Sequence, residues 1–146
     1  SGTIYNYDES KSDLLGDTIG SIWQEIFFQP EDEQIFHEAA ACISWIYERL
    51  EYGNRQFPGF FSLHSFSFMR EEKNDGKKRM MKTWGHIQNG LCNVLKNDPK
   101  IRPDVFDQQF TENQFADILF SLILVAITRQ DYDPSSVLML INKTLY

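Results

Sequence analysis

Three histidines (His37, His64 and His86) and two cysteines (Cys42 and Cys92) are the side chains in this 146-residue chain best suited to metal binding or nucleophilic catalysis. Glu33 and His37 stand four apart, a spacing that puts both on one face of a helix. Carboxylate di-metal bundles use a Glu-x-x-His motif on each of two helices, with two further glutamates. No Glu-x-x-His occurs in this sequence, so Glu33 and His37 read as a surface pair and no metal is expected. A nucleophilic cysteine needs a thiolate next to a base or cation. His86 precedes Cys92 by six residues and falls on a different helix face, and both cysteines lie on or beside apolar faces, where free cysteine acts as a small hydrophobe. Their isolation also argues against a zinc site or a disulfide framework.

Other catalytic signatures are missing from the sequence. It has no phosphate-binding glycine loop, dinucleotide fingerprint, Gly-x-Ser-x-Gly elbow or His-Glu-x-x-His helix. Glu31, Asp32 and Glu33 follow Pro30 and suit the positive end of a helix. Glu48-Arg49-Leu50-Glu51 is not taken as half of the paired acidic motifs that hold magnesium in all-α nucleotide pyrophosphatases, since no second half is read after it. The expectation is a protein that is not an enzyme and uses no cofactor.

Charge gives a more positive indication. The net charge of −7 argues against duplex nucleic acid or an anionic membrane as the main partner, since both require a basic surface. Against that background Arg70, Lys73, Lys77, Lys78, Arg79 and Lys82 gather six of the fourteen basic residues in one strip. Cations at a helix N-terminus oppose the macrodipole, at about a few tenths of a kcal/mol each when exposed. Tolerating them points to an acidic partner. Just upstream, Phe57, Phe60 and Phe61 are too apolar to be left in water, so their loop is expected to fold back on the bundle and offer one wall of a groove.

The elements that must position these residues are helical. Leu15, Ile19, Ile22, Trp23, Ile26 and Phe27 make an amphipathic pattern running to about Phe28, with Gly16 and Gly20 one turn apart as a site of close helix approach. A second helix is expected from Pro30, with Phe36, Ala39, Ala40, Ile43, Ile46, Tyr47 and Leu50 buried and Gly53 as its stop. A short helix is assigned to Ser62–Glu72. A long one over Lys77–Leu95 has Met80, Trp84, Ile87, Leu91 and Val94 on one seam, and a turn of helix over Pro103–Phe110 follows. Thr111 with Gln114 then forms a capping-box signature. From Ile118 to Ile127 every residue except Ser121 is apolar, the mark of a helix buried on all sides. Ten such residues fall short of the ~20 needed to span a bilayer. Asp133 as N-cap and Pro134 at the first helical position open a last helix to the C-terminus.

The fold class is therefore all-α: a single-domain bundle of five to six helices around a hydrophobic central helix at about 112–129. Residues 1–9 are expected to be a flexible leader and 10–146 one helical domain. Hydrophobic content of 42% and aromatic content of 14% suffice for one core. With no signal peptide or long apolar segment in view, the expected location is intracellular, cytoplasmic or nuclear.

Thr83-Trp84-Gly85-His86-Ile87 resembles the Asn-Trp-Gly-Arg signature of the B-cell-lymphoma apoptosis regulators, and Leu14-Leu15-Gly16-Asp17 is similar to the Gly-Asp of their death-motif helix. The resemblance implies a helical bundle with a groove for a partner's amphipathic helix. It spans about nine residues and departs in three places: His86 stands for the arginine, Ser12 for the leucine four before Gly16, and the apolar helix begins far downstream of Trp84.

From the residues themselves the leading expectation is a non-enzymatic helical protein-interaction domain, an adaptor or regulator. It would bind a partner peptide or helix through Phe57, Phe60, Phe61 and the basic strip. The alternatives are a small-ligand sensor or enzyme with an aromatic cavity using His86 or His37, and a structural subunit forming a homo-oligomer.

Overall fold

The computed structural model describes residues 20–27, 33–61 and 75–146, with residues 33–34 and 75–83 described by their backbone alone. All regular structure among them is helical. The segments are α1 (20–26), a 3-10 turn at Glu33–Phe36, α2 (Ala39–Gln56), α3 (Asp75–Asn97), α4 (Glu112–Arg129) and α5 (Ser135–Leu145). The expected leader, Gly16 and the short helix at Ser62–Glu72 lie outside the described residues.

The segment after Pro30 differs from the single helix expected there. The 3-10 turn ends at Phe36, Glu38 is extended (φ −129°, ψ 121°), and α2 starts at Ala39. The cause is a cap supplied from a distance. Asp98, 7% exposed, accepts the Ala39 N–H on Oδ2 at 2.9 Å and the Lys100 N–H on Oδ1 at 2.9 Å. The Tyr146 hydroxyl donates to Asp98 Oδ2 at 2.5 Å, and Lys100 pairs with Glu38 at 2.9 Å. A carboxylate at the positive end of α2 satisfies an orphan backbone donor and suits the helix dipole. The other end of the same knot holds α5, because Arg102 donates from its backbone to the Leu145 carbonyl and from Nη2 to the Thr144 carbonyl, both at 2.9 Å.

Gly53 does not stop α2, which continues to Gln56. It is buried inside the helix instead, where a Cβ would lie 2.7 Å from Cδ1 of Ile26. That bare backbone lets α1 cross α2 closely. Arg49 then fastens the crossing by donating from Nε to the Ile26 carbonyl at 2.5 Å and from Nη2 to the Glu25 carbonyl at 2.8 Å, covering carbonyls at the end of α1.

Following α2, Phe57-Pro58-Gly59-Phe60 forms a turn. The Phe60 N–H donates to the Phe57 carbonyl at 3.0 Å, and Gly59 takes φ 81°, which glycine adopts without strain. This turn directs Phe60 and Phe61 inward. The expected helix at Pro103–Phe110 is not formed. Asp107 Oδ1 instead accepts the N–H groups of Gln109 and Phe110 at 2.8 and 2.7 Å, a side-chain turn that competes with helix.

The capping box of α4 is formed, with Gln114 N donating to Thr111 Oγ1 at 3.2 Å and Thr111 N donating to Gln114 Oε1 at 2.9 Å. The helix ends at Gln130 in the left-handed region (φ 53°). Before α5, the Asp133 carboxylate accepts the Ser135 N–H at 3.0 Å and the Ser135 hydroxyl at 2.5 Å. These bonds hold Asp133 below the usual carboxylate range, the hydroxyl contributing most.

One core unites the helices. It draws on Trp23 and Ile26 of α1, Ile43, Ile46 and Leu50 of α2, Leu91 and Leu95 of α3, Phe115, Leu119 and Ile123 of α4, and Ile141 and Leu145 of α5. α2 packs against the 3-10 turn, α3 and α5, while α4 lies chiefly along α3. No helix among the described residues is long and apolar enough to cross a membrane.

Candidate functional site

α3 and α4 run antiparallel, and three contacts set their register. Cys92 Sγ donates to Asn113 Oδ1 at 2.7 Å, Gln88 Nε2 donates to Asp117 Oδ1, and the rings of Trp84 and Phe120 meet with centroids 6.0 Å apart. Continuing at the same pitch, residues 77–82 on α3 stand level with residues 123–128 on α4. Lys77, Lys78, Arg79 and Lys82 therefore belong to turns beside the C-terminal half of α4. Arg70 and Lys73 lie outside the described residues.

α4 is not enclosed on all sides. Burial follows one stripe (Phe115, Ala116, Leu119, Ile123, Ala126 and Ile127), while Ile118 is 45% and Val125 42% exposed. Those two residues are a heptad apart, ~10.5 Å along the axis. The all-round apolar sequence thus serves two surfaces, an inner stripe against α3 and an outer ridge facing solvent. Met139 and Leu140 on α5 and Phe36 at the end of the 3-10 turn are also exposed.

The three phenylalanines assigned to a groove wall separate. Phe57 is half-buried against the core. Phe60 and Phe61 are 4% and 1% exposed and pack on Trp23, with ring centroids at 5.4 and 5.6 Å. They are core residues, because the Pro58-Gly59 turn brings them under α2. Only Phe57 of the three retains access to solvent.

The candidate catalytic groups do not converge. Glu33 lies in the 3-10 turn and His37 beyond its end, so the helical i, i+4 relation is absent. His37 and His86 are exposed, and His64 lies outside the described residues. Burial pushes the Cys42 thiol up to about 12, leaving it protonated at neutral pH. Cys92 is occupied with Asn113. At Gly85 a Cβ would meet nothing within 4 Å, so no neighbouring helix presses on the Trp84-Gly85-His86 segment at that glycine.

Glu48 and Glu51 do have Glu-x-x-Glu spacing, and Glu72-Lys73-Asn74-Asp75 has Glu-x-x-Asp spacing. Glu72 lies outside the described residues, and register sets the backbone of Asp75 apart from Glu51. Ala39 lies at the level of Asp98, and Gly53 is brought by α1 to the level of Trp84. Asp75, at the start of α3, is then ~16 Å farther along the bundle than Glu51, well beyond the reach of a shared ion. Among the described residues, no group of three or more His, Cys, Asp or Glu side chains could hold a metal ion.

No protein-family model matches this sequence, and no curated protein or solved structure matches it either.

Proposed function

We propose that the chain is a helical interaction domain, an adaptor or regulator, whose outer α4 surface receives an acidic amphipathic helix from another protein. The observation that carries this reading is the exposed pair Ile118 and Val125, level at its Val125 end with the lysine- and arginine-bearing turns of α3. A partner helix uses apolar anchors at heptad spacing, and acidic residues on its flank complement the basic turns and speed encounter. The wall first assigned to Phe57, Phe60 and Phe61 is replaced by the α4 ridge, and the basic strip is retained.

Affinity capture from native lysate tests this with three baits: wild type, Ile118→Ser with Val125→Ser, and Glu at Lys77, Lys78, Arg79 and Lys82. A protein retained by the wild type and lost from both variants, with helical circular dichroism unchanged, supports the reading. A protein retained equally by all three, or none retained by any, refutes it.

A further inference from the structure

The outer ridge of α4 extends beyond its two large apolar residues. Ile118, Ser121, Val125 and Thr128 are all exposed and stand three, four and three apart, the a and d positions of a coiled-coil seam. No residue from Ile118 to Thr128 carries a charge, and Leu122 and Leu124 are half-buried at the two edges of the ridge. Its hydroxyls are already engaged: Ser121 Oγ donates to the Asp117 carbonyl and Thr128 Oγ1 to the Leu124 carbonyl, both at 2.9 Å. Covering this face with another helix therefore strands no hydroxyl proton.

The seam complements itself. Its spacing reads the same in both directions about position 123, so a second α4 laid antiparallel across it sets Ile118 opposite Thr128 and Ser121 opposite Val125. Each layer then joins a larger side chain to a smaller one, which suits close packing. A parallel pairing would set Ser121 on Ser121 and Val125 on Val125, leaving thin and thick layers in turn. In a two-fold pair every contact occurs twice, residue i on j and j on i, so the same match closes both halves.

Charge agrees with that geometry. Asp117 lies on the flank of α4 that faces α3, because it accepts from Gln88 Nε2. A two-fold axis between antiparallel helices keeps like flanks on one side, so Asp117 of a second copy comes to the α3 side of the first. With Ile118 opposite Thr128, that carboxylate is level with Arg129. By the α3–α4 register it is then about one residue, ~1.5 Å along the axis, from the level of the backbone turn that carries Lys77 and Lys78. α4 is itself a helix with apolar anchors a heptad apart and an acidic group on the flank next to those cations.

We propose that the outer face of α4 is a homodimer interface, occupied by α4 of a second copy running antiparallel. This rests on the reading of the Ile118–Val125 ridge as a docking face, and it makes a second copy the occupant that any other partner must displace.

Sedimentation velocity of the full chain tests it. The wild type should dimerise at micromolar concentration, less tightly as salt rises, and Ile118→Ser with Val125→Ser should be monomeric there with helical circular dichroism unchanged. Lys77→Glu with Lys78→Glu should weaken the dimer about tenfold, and adding Asp117→Lys should restore it. Oxidation of an equal mixture of Ser121→Cys and Val125→Cys chains should yield chiefly the mixed disulfide between positions 121 and 125. A monomer at every concentration, disulfides formed chiefly within each variant, or no rescue by the charge exchange would each overturn the proposal. A monomer that still captures a protein from lysate through Ile118 and Val125 overturns the homodimer and leaves the docking face standing.

Discussion

Replacing Asp98 by Asn keeps the shape of the side chain and removes its charge, which isolates the role of the carboxylate at the start of α2. Three donors converge on Asp98: Ala39 N and Tyr146 Oη on one oxygen, Lys100 N on the other. Asparagine offers one acceptor oxygen and one amide, so the less damaging orientation turns the amide toward Lys100 and loses that bond. The two remaining bonds become neutral. A hydrogen bond to a charged group is worth ~1.5–3 kcal/mol and a neutral one ~0.5–1.5, so the two conversions cost ~1 kcal/mol each. Stranding the Lys100 N–H adds ~1–2 kcal/mol, offset in part because a buried charge is no longer desolvated. The expected net loss is ~3 kcal/mol, or a fall of about 10 °C in melting temperature for a chain of this size. Urea denaturation followed by circular dichroism measures it. A cycle with Tyr146→Phe should give a coupling of at least ~0.5 kcal/mol, as befits groups in contact. A loss below ~1 kcal/mol, or strictly additive single and double variants, would show that α2 does not depend on this cap.

The glycines should respond to alanine with opposite signs. Gly53→Ala drives a Cβ to 2.7 and 2.8 Å from Cδ1 and Cγ1 of fully buried Ile26 and to 3.2 Å from Phe61, so overpacking of ~1–3 kcal/mol should outweigh the ~1 kcal/mol gain in helix propensity. Gly85→Ala and Gly90→Ala meet nothing within 4 Å and should each stabilise by up to ~1 kcal/mol, and the same denaturation assay reads all three. Alkaline pH should unfold the protein through its tyrosines. Burial raises the hydroxyls of Tyr146, Tyr47 and Tyr132, with Asp98 reinforcing the effect at Tyr146 and Asp131 at Tyr47. Because the folded state favours the neutral phenol, this contribution is complete below the unfolded pKa of ~10 and declines as pH rises above it. Urea midpoints from pH 8 to 11 should fall, and less steeply in Tyr146→Phe; parallel profiles would remove Tyr146 from the effect.

Helix existence was legible wherever a local rule and apolar spacing agreed. The Thr111–Gln114 box, the seam through Trp84, Leu91 and Val94, and the buried face of α2 from Ala39 to Leu50 were all readable from spacing. Boundaries failed where a distant residue decided them. Asp98 lies just past the end of α3, and nothing local shows that its carboxylate caps a helix 59 positions away. Gly53 looked like a stop because glycine favours helix ends. Its actual role depends on Ile26 of another helix, which spacing within α2 cannot reveal.

The candidate site was legible in composition and misread in position. Phe60 and Phe61 were recognised as too apolar for water, which holds equally for a groove wall and for a core. The Pro58-Gly59 turn chooses the core. α4 carries the converse lesson. An apolar run around a whole helix was read as burial on every side, yet burial needs neighbours, and α4 lies chiefly along α3. A helix buried on one stripe has no stabilising use for isoleucine and valine at 118 and 125, where charged residues with good helix propensity would serve solubility better. Val125 stands level with the backbone turns of α3 that carry Lys77, Lys78, Arg79 and Lys82, so two locally unfavourable choices meet at one end of the α3–α4 pair. Local choices that oppose stability gather where function constrains the sequence, and this coincidence, invisible until the register of α3 and α4 is known, is the physical basis for the proposal that a partner docks there.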